Sequence, residues 1–277
     1  MRLPRTGLDA LTDEQSGLEA VLLLSQNFIA ILCDSEQHLG SFEGTPMDRE
    51  KRILSLTAAH VALVHREIED AGPPVGQQTQ TDHDYAEWVS RMVALHPAPS
   101  RPTQLFAYGS LIWKPEIEHV RERSGVLHGW HRSFCLRQFR FRATPENPGL
   151  MMSLDQGGEC QGVLFELPEE DLETQLDRLF RREFTVKPNT NMPRWVTVDT
   201  DSGPVEALAF VMSRTSELYA GDIPLDEVAD ILAGCCGHLG TGAEYLLNTV
   251  TQLEARGLHE PGLWRLQELV SERIGPV

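Results

Sequence analysis

Hydrophobic positions change their period twice along this 277-residue chain. Over the first hundred residues they recur at helical spacing. Residues 18–32 and 83–95 each read as a helix, the latter with Tyr85, Trp88, Val89 and Met92 on one face. Residues 47–71 read as a longer helix carried by Ile53, Leu56, Leu63 and Val64. Two Pro-rich stretches, 72–81 (GPPVGQQTQT) and 96–104 (HPAPSRPTQ), read as linkers. From Gln104 onward the texture becomes short β-branched and aromatic runs. These predict strands over 104–107, 125–130, 133–137, 150–154, 161–166, 194–199 and 205–212. Helical spacing returns in their midst over 168–184, and at the end over 225–233, 243–256 and 262–273. Strands first and helices last predict an α+β domain over 101–277, a mixed sheet or small barrel with helices against one side. A helical extension over 1–100, in which no constellation of reactive side chains is found, precedes it and is expected to pack on the main domain or on another subunit. Its removal is expected to spare turnover.

One position breaks the pattern. In 168–184 (PEEDLETQLDRLFRREF) the apolar stripe runs through Leu172, Leu176, Leu179 and Phe180. Seven residues beyond Leu176, at roughly 100° per residue, the stripe returns to Glu183. A carboxylate aimed at an interior has a raised pKa and can take and return a proton near neutral pH. The alternatives are that the helix stops short of Glu183 or that Arg181 or Arg182 neutralises it.

Composition narrows the class. An apolar fraction of 41% with 23% charged residues is that of a globular protein, and a net charge of −17 argues against a nucleic-acid partner. Six arginines do gather between Arg121 and Arg142, at Arg121, Arg123, Arg132, Arg137, Arg140 and Arg142; they read as solvated strand faces or as an anion-attracting rim. The most apolar early stretch, 20–33, is polar in the middle, shorter than a membrane span and unlike a signal peptide, so no membrane association is expected. Five scattered cysteines, with no C-x-x-C pair, predict neither a zinc site nor a disulfide framework and fit a reducing cytoplasm.

Further candidates for chemistry are few. Tyr108-Gly109-Ser110-Leu111 closes the first strand as a tight turn, either a backbone cradle for a small anion or a plain turn. Ser110 lacks a G-x-S-x-G elbow, and His128 and His131 fall on opposite faces of a strand, so neither a serine hydrolase nor a metal site is expected. Thr241 and Glu244 read as a capping box opening a helix, and Tyr245 beside them either reaches a pocket or packs. Arg142, next to a Pro-fixed turn, either binds a substrate carboxylate or is a surface arginine.

Eight segments in order, FAYGSLIW (106–113), HGWHRSFCL (128–136), ATPENPGLMMSL (143–154), GVLFELP (162–168), LFRRE (179–183), PRWV (193–196), ALAFV (207–211) and AEYLLNTV (243–250), resemble the ChaC family of glutathione-specific γ-glutamylcyclotransferases. The resemblance covers about 104–274. It implies a γ-glutamylcyclotransferase-like mixed β-barrel with flanking helices, in a cytoplasmic enzyme that cleaves glutathione to 5-oxoproline and cysteinylglycine without metal or organic cofactor. It implies Glu183 as general acid/base and Tyr108, Gly109, Ser110 and Leu111 as the loop holding the γ-glutamyl group, with Arg142 and Tyr245 as further substrate-binding candidates. Self-association is expected, if anywhere, through the N-terminal helices. Two departures stand out: Ala143 where glycine is usual, and a longer 183–193 segment (EFTVKPNTNMP) without a frequent tyrosine. The second leaves open a preference for other γ-glutamyl amines or dipeptides. A rival of another class is a non-catalytic γ-glutamyl-binding or interaction protein.

Overall fold

The computed structural model describes residues 52–74 and 76–277. The helix expected over 18–32 lies outside the described residues, as does the start of the one expected over 47–71. What is described of the latter is one short helix, α1 (Ala58–Val64). Thr57 caps it, exchanging hydrogen bonds with His60, and His65 turns extended at φ −68°, ψ 137°. The helix stops there because HREIED (65–70) offers a single apolar side chain, Ile68, to bury. After a two-residue strand, β1 (Gln78–Thr79), comes α2 (Asp82–Ala94), which buries Tyr85, Val89 and Met92.

The strands that follow are β2 (Gln104–Ala107), β3 (Arg121–Gln138), β4 (Gly149–Glu166), β5 (Val186–Lys187), β6 (Asn191–Asp199) and β7 (Val205–Met212). Five of them close a barrel in the order β2-β4-β3-β6-β7, antiparallel except where β2 and β4 meet β7. Between β4 and β5 lies α3 (Leu172–Glu183). The chain ends with α4 (Leu225–Gly234), the small hairpin β8 (Cys236–Gly237) and β9 (Gly240–Thr241), α5 (Gly242–Ala255) and α6 (Pro261–Ile274). Residues 53–277 form one compact unit, so α1, β1 and α2 share it with the barrel. Among the described residues, no helix is long and apolar enough to cross a membrane.

Strands β3 and β4 each join two runs that the sequence pattern separates. The apolar alternation of β3 breaks at His131–Arg132, yet pairing with β4 continues through Trp130↔Gln156, His131↔Asp155 and Arg132↔Leu154. The register slips between His128 and Trp130, where Gly129 sits at φ 82° and absorbs a bulge. Arg132 is not solvated. Its side chain is 2% exposed, pairs with Glu260, and donates from Nε to the Tyr108 carbonyl (2.6 Å) and from Nη2 to the Gln161 carbonyl.

Helix α3 carries the feature that places the site. Leu176, Leu179 and Phe180 are fully buried, each contributing roughly 1.5–3 kcal/mol by burial. Phe180 meets Phe210 edge to face with ring centroids 6.1 Å apart, and Phe184 stacks on Phe180 at 5.4 Å. Phe184 is extended (φ −149°, ψ 123°) and buried. The helix therefore ends at Glu183, pinned from below by Phe180 and from beyond by Phe184. Helix α2 presses on this junction: the Tyr85 hydroxyl donates to the Phe184 carbonyl (3.1 Å), and Trp88 lies edge-on to the Phe184 ring. The extension thus contacts the segment next to Glu183 directly.

Candidate active site

A cavity of about 270 Å³ opens beside the end of α3, and Glu183, Tyr108, Gly109, Ser110, Leu111, Arg142 and Tyr245 all line it. Four separate elements bring them together. Barrel strand β2 delivers Tyr108–Leu111, α3 delivers Glu183, the loop after β3 delivers Arg142, and α5 delivers Tyr245.

The Glu183 side chain is 14% exposed. Oε1 accepts from Arg182 Nε (3.1 Å) and Oε2 from Asn191 Nδ2 (3.2 Å). Burial pushes its pKa above the ordinary glutamate value; the Arg182 charge, the hydrogen bonds from Arg182 and Asn191 oppose this, and Glu116 adds to it. The two neighbouring arginines divide. Arg181 turns away to Asp177 (2.7 Å) and Asp82 (2.8 Å) and lies over the Tyr85 ring. Arg182 alone touches the carboxylate, and it is shared: Nη2 donates to Ser110 Oγ (3.1 Å), while Nη1 donates to the Lys114 carbonyl and Glu116 (3.2 Å). Divided among these acceptors, Arg182 ties the carboxylate to the loop and leaves the net shift upward. A carboxyl group held this way keeps a proton more readily than an exposed glutamate and can both accept and return one.

The loop is fixed from three sides. Gly109 has no room for a side chain, since a Cβ there would lie 2.7 Å from the Tyr245 phenol oxygen. Arg132 holds the Tyr108 carbonyl from behind. The Leu111 and Ile112 side chains are buried in the core. Ser110 begins a single 3₁₀ turn, Ser110–Ile112, and its N–H faces the Tyr245 phenol. Burial pushes Tyr245 up to about 12 and Tyr108 well above the usual phenol value, the nearby Glu183 charge adding to both. Both phenols stay protonated as donors. The Tyr108 phenol meets Ser153, whose hydroxyl donates to Asn191 Oδ1 (3.1 Å), and Asn191 in turn donates to Glu183.

Arg142 lines the cavity, 13% exposed, with Nη1 donating to Glu244 (2.5 Å) and to the Thr241 carbonyl (2.9 Å). Its guanidinium lies 5.8 Å from the ring centroids of both Trp113 and Tyr245. Glu244 therefore does not complete a capping box; only the Thr241 half forms, accepting from the Glu244 N–H. The described cysteines, Cys135, Cys160, Cys235 and Cys236, are buried and unbridged, and burial pushes Cys135 and Cys160 up to about 12. Burial raises Cys235 as well, so none of Cys135, Cys160 and Cys235 is a ready thiolate nucleophile. Asn191, Ser153 and Arg132 are the members that sequence reasoning missed. Asn191 opens β6 in a stretch (TNMP) that reads as a polar loop from sequence, and nothing local marks it as the partner of a residue eight positions back.

The ChaC-like protein family model matches residues 103–273, and the chain belongs to this family. A relative from Escherichia coli K12 named glutathione-specific γ-glutamylcyclotransferase is 39% identical over 163 residues, covering 58% of this chain and 70% of the relative. A zebrafish (Danio rerio) relative, glutathione-specific γ-glutamylcyclotransferase 1, is 28% identical over 182 residues, covering 62% and 91%. Among solved structures, the yeast γ-glutamyl cyclotransferase specific to glutathione superposes with a TM-score of 0.56 at 19% identity, covering 62% of this chain and 96% of that one. That likeness establishes the fold, the closed barrel with its helices.

Proposed function

We propose that this chain is a γ-glutamylcyclotransferase that cleaves glutathione to 5-oxoproline and cysteinylglycine, with Glu183 as its general acid/base. The observation that carries the site assignment is a carboxylate at the buried end of α3, raised in pKa and facing the Tyr108–Leu111 loop across one cavity. The names of the E. coli and zebrafish relatives support the substrate.

The chemistry needs no protein nucleophile. The substrate's own α-amine attacks its γ-amide carbonyl and closes a five-membered lactam. The loop would hold the glutamyl chain folded, so that the amine already lies near the carbonyl. Glu183, ionised, takes a proton from the α-ammonium; the freed amine attacks. As the tetrahedral carbon collapses, the C–N bond to cysteinylglycine breaks and Glu183 returns that proton to the departing nitrogen; the second proton, shed by the ring nitrogen as it becomes the lactam N–H, leaves on the released amine as its ammonium. One carboxyl group serves both transfers, contributing roughly 10²–10⁴-fold. The protonated Tyr245 phenol and the N–H groups of Gly109 and Leu111 are the donors available to the substrate carboxylate and the developing oxyanion, while the Tyr108 phenol bonds Ser153 and supports the chain through Asn191 to Glu183. Arg142, already shared with Glu244, contributes positive potential at the same wall. The unbridged described cysteines fit work in the reducing cytoplasm.

The deciding experiment incubates purified protein with glutathione and measures 5-oxoproline, with Glu183→Gln alongside. Wild type is expected to release it and the variant to lose at least about a hundredfold in kcat. A wild type that releases none, or a variant of undiminished rate, refutes the assignment.

A further inference from the structure

A second cavity, of about 370 Å³, adjoins the first, and Glu183 borders both. The two meet along Leu136, Gln138, Phe141 and Thr185. Phe141, at this junction, is held at φ 69°, a left-handed conformation that a bulky residue adopts only when its surroundings impose it. The second cavity is also lined by Pro73, Pro74 and Gln77, together with Phe139, Phe184 and Val186. These first three residues precede the family match, which begins at residue 103.

The wall belongs to a strap, described over residues 66–74 and 76–80, that is tied down at both ends and in the middle. At one end Arg66 donates to the Gly234 carbonyl (3.3 Å), and Cys236 Sγ contacts the Arg66 carbonyl (3.4 Å). In the middle Asp70 takes both Arg140 nitrogens, at 2.7 and 2.5 Å, and lies 3.4 Å from His238. At the other end β1 pairs with β5, the Gln80 N–H donates to the Thr185 carbonyl (2.9 Å), and Gln80 Nε2 to the Val186 carbonyl (3.1 Å). A strap anchored on both sides of a cavity makes a fixed wall.

The proposed reaction says what lies there. Glu183 must reach the attacking α-amine and the departing nitrogen in turn, so a substrate passing it leaves its glutamyl half on the Tyr108–Leu111 side and its amine half beyond. The first cavity alone is at the low end of ligand pockets, which run roughly 300–1,000 Å³. The second is mostly apolar, with Arg137 exposed at its rim, a setting suited to a peptide amine with a thiol-bearing or apolar side chain and a terminal carboxylate.

We infer that the second cavity is a leaving-group chamber for the cysteinylglycine half of glutathione, and that the strap 66–80, from outside the family module, is its specificity-determining wall. This rests on the cyclotransferase reading above. The test uses the full chain and two substrates that both yield 5-oxoproline, glutathione and γ-glutamylmethylamide, whose leaving amine is too small to reach the wall. Gln77→Trp, which fills the chamber from the strap, is expected to raise the ratio of the glutathione KM to the methylamide KM by about tenfold or more. If that variant does not fold, Asp70→Ala, which unties the strap from Arg140, takes its place with an expected rise of about threefold in the same ratio. A folded variant with an unchanged ratio, beside a wild type that releases 5-oxoproline from glutathione, overturns the chamber and leaves the function standing. A wild type that releases none overturns the function and the chamber with it.

Discussion

The two sides of Glu183 are built by different parts of the chain and by different physics. On one side, the barrel and the helices that follow it supply Tyr108–Leu111, Arg182, Asn191 and Tyr245, a set of polar groups whose hydrogen bonds interlock. On the other, the strap supplies Pro73, Pro74 and Gln77, which line the cavity that Glu183 also borders. Polar groups buried together must each find a partner, so such a cluster tolerates little change. An apolar wall asks only for volume. The division implies that reaction and selectivity are separable, the first written in the barrel and the second in the extension.

The largest expected break is Glu183→Gln, which lowers kcat on glutathione and on γ-glutamylmethylamide alike by about 10²–10⁴-fold. Gly109→Ala comes next. Its methyl group would meet the Tyr245 phenol oxygen at 2.7 Å, so kcat/KM measured on both substrates should fall together by about ten- to a hundredfold. If either change acted on one substrate only, the two sides of Glu183 would not be separable.

Arg132→Met tests the support behind the loop. It leaves the Tyr108 and Gln161 carbonyls and Glu260 without their shared donor and should cost about 3 kcal/mol in denaturant unfolding. Asn191→Ala makes a smaller change, read from the pH profile. Asn191 stabilises the ionised form of Glu183, so its loss raises that pKa further. Because the base must be ionised, the acid limb of kcat/KM should move to higher pH. Smallest is the stability of Glu183→Gln itself. Its carboxylate has a raised pKa in the folded state, so ionisation costs stability that is absent in acid and appears as pH rises through that pKa. The variant should therefore melt above wild type in mildly alkaline buffer, with the advantage disappearing in acid.

Much of the fold was legible because its elements are periodic. Strands β2 and β7 occupy the predicted residues, and α2, α4, α5 and α6 differ from prediction by a residue or so at their ends. Strands β3 and β4 looked like four because His131 and the buried Arg132 in one, and Gly157 and Gly158 in the other, read locally as surface or turn, whereas pairing between the two strands runs on past them and Arg132 finds Glu260. The long helix expected over 47–71 is, in its described part, only Ala58–Val64: beyond Val64 the stretch HREIED offers a single apolar side chain, Ile68, and His65 turns extended. The arginine-rich stretch was ambiguous. Arg132 is a buried support, Arg140 an anchor for the strap and Arg142 a wall of the cavity, and sequence spacing is the same for all three roles.

By itself the sequence determined the misplacement of Glu183: a helix of period 3.6 with a carboxylate on its apolar stripe points that carboxylate inward wherever the helix packs. It also determined the family, through motifs in a fixed order. Tertiary structure decided the rest. Which arginine touches Glu183 depends on what lies beyond the helix end, and Asp82 of the extension draws Arg181 away while Ser110 draws Arg182 in. The strap beside the site depends on contacts between residues more than a hundred positions apart, such as Gln78 with Lys187 and Arg66 with Gly234. Local pattern fixes which way a side chain faces along its own element; what it meets there is set by surfaces that only the closed fold brings together.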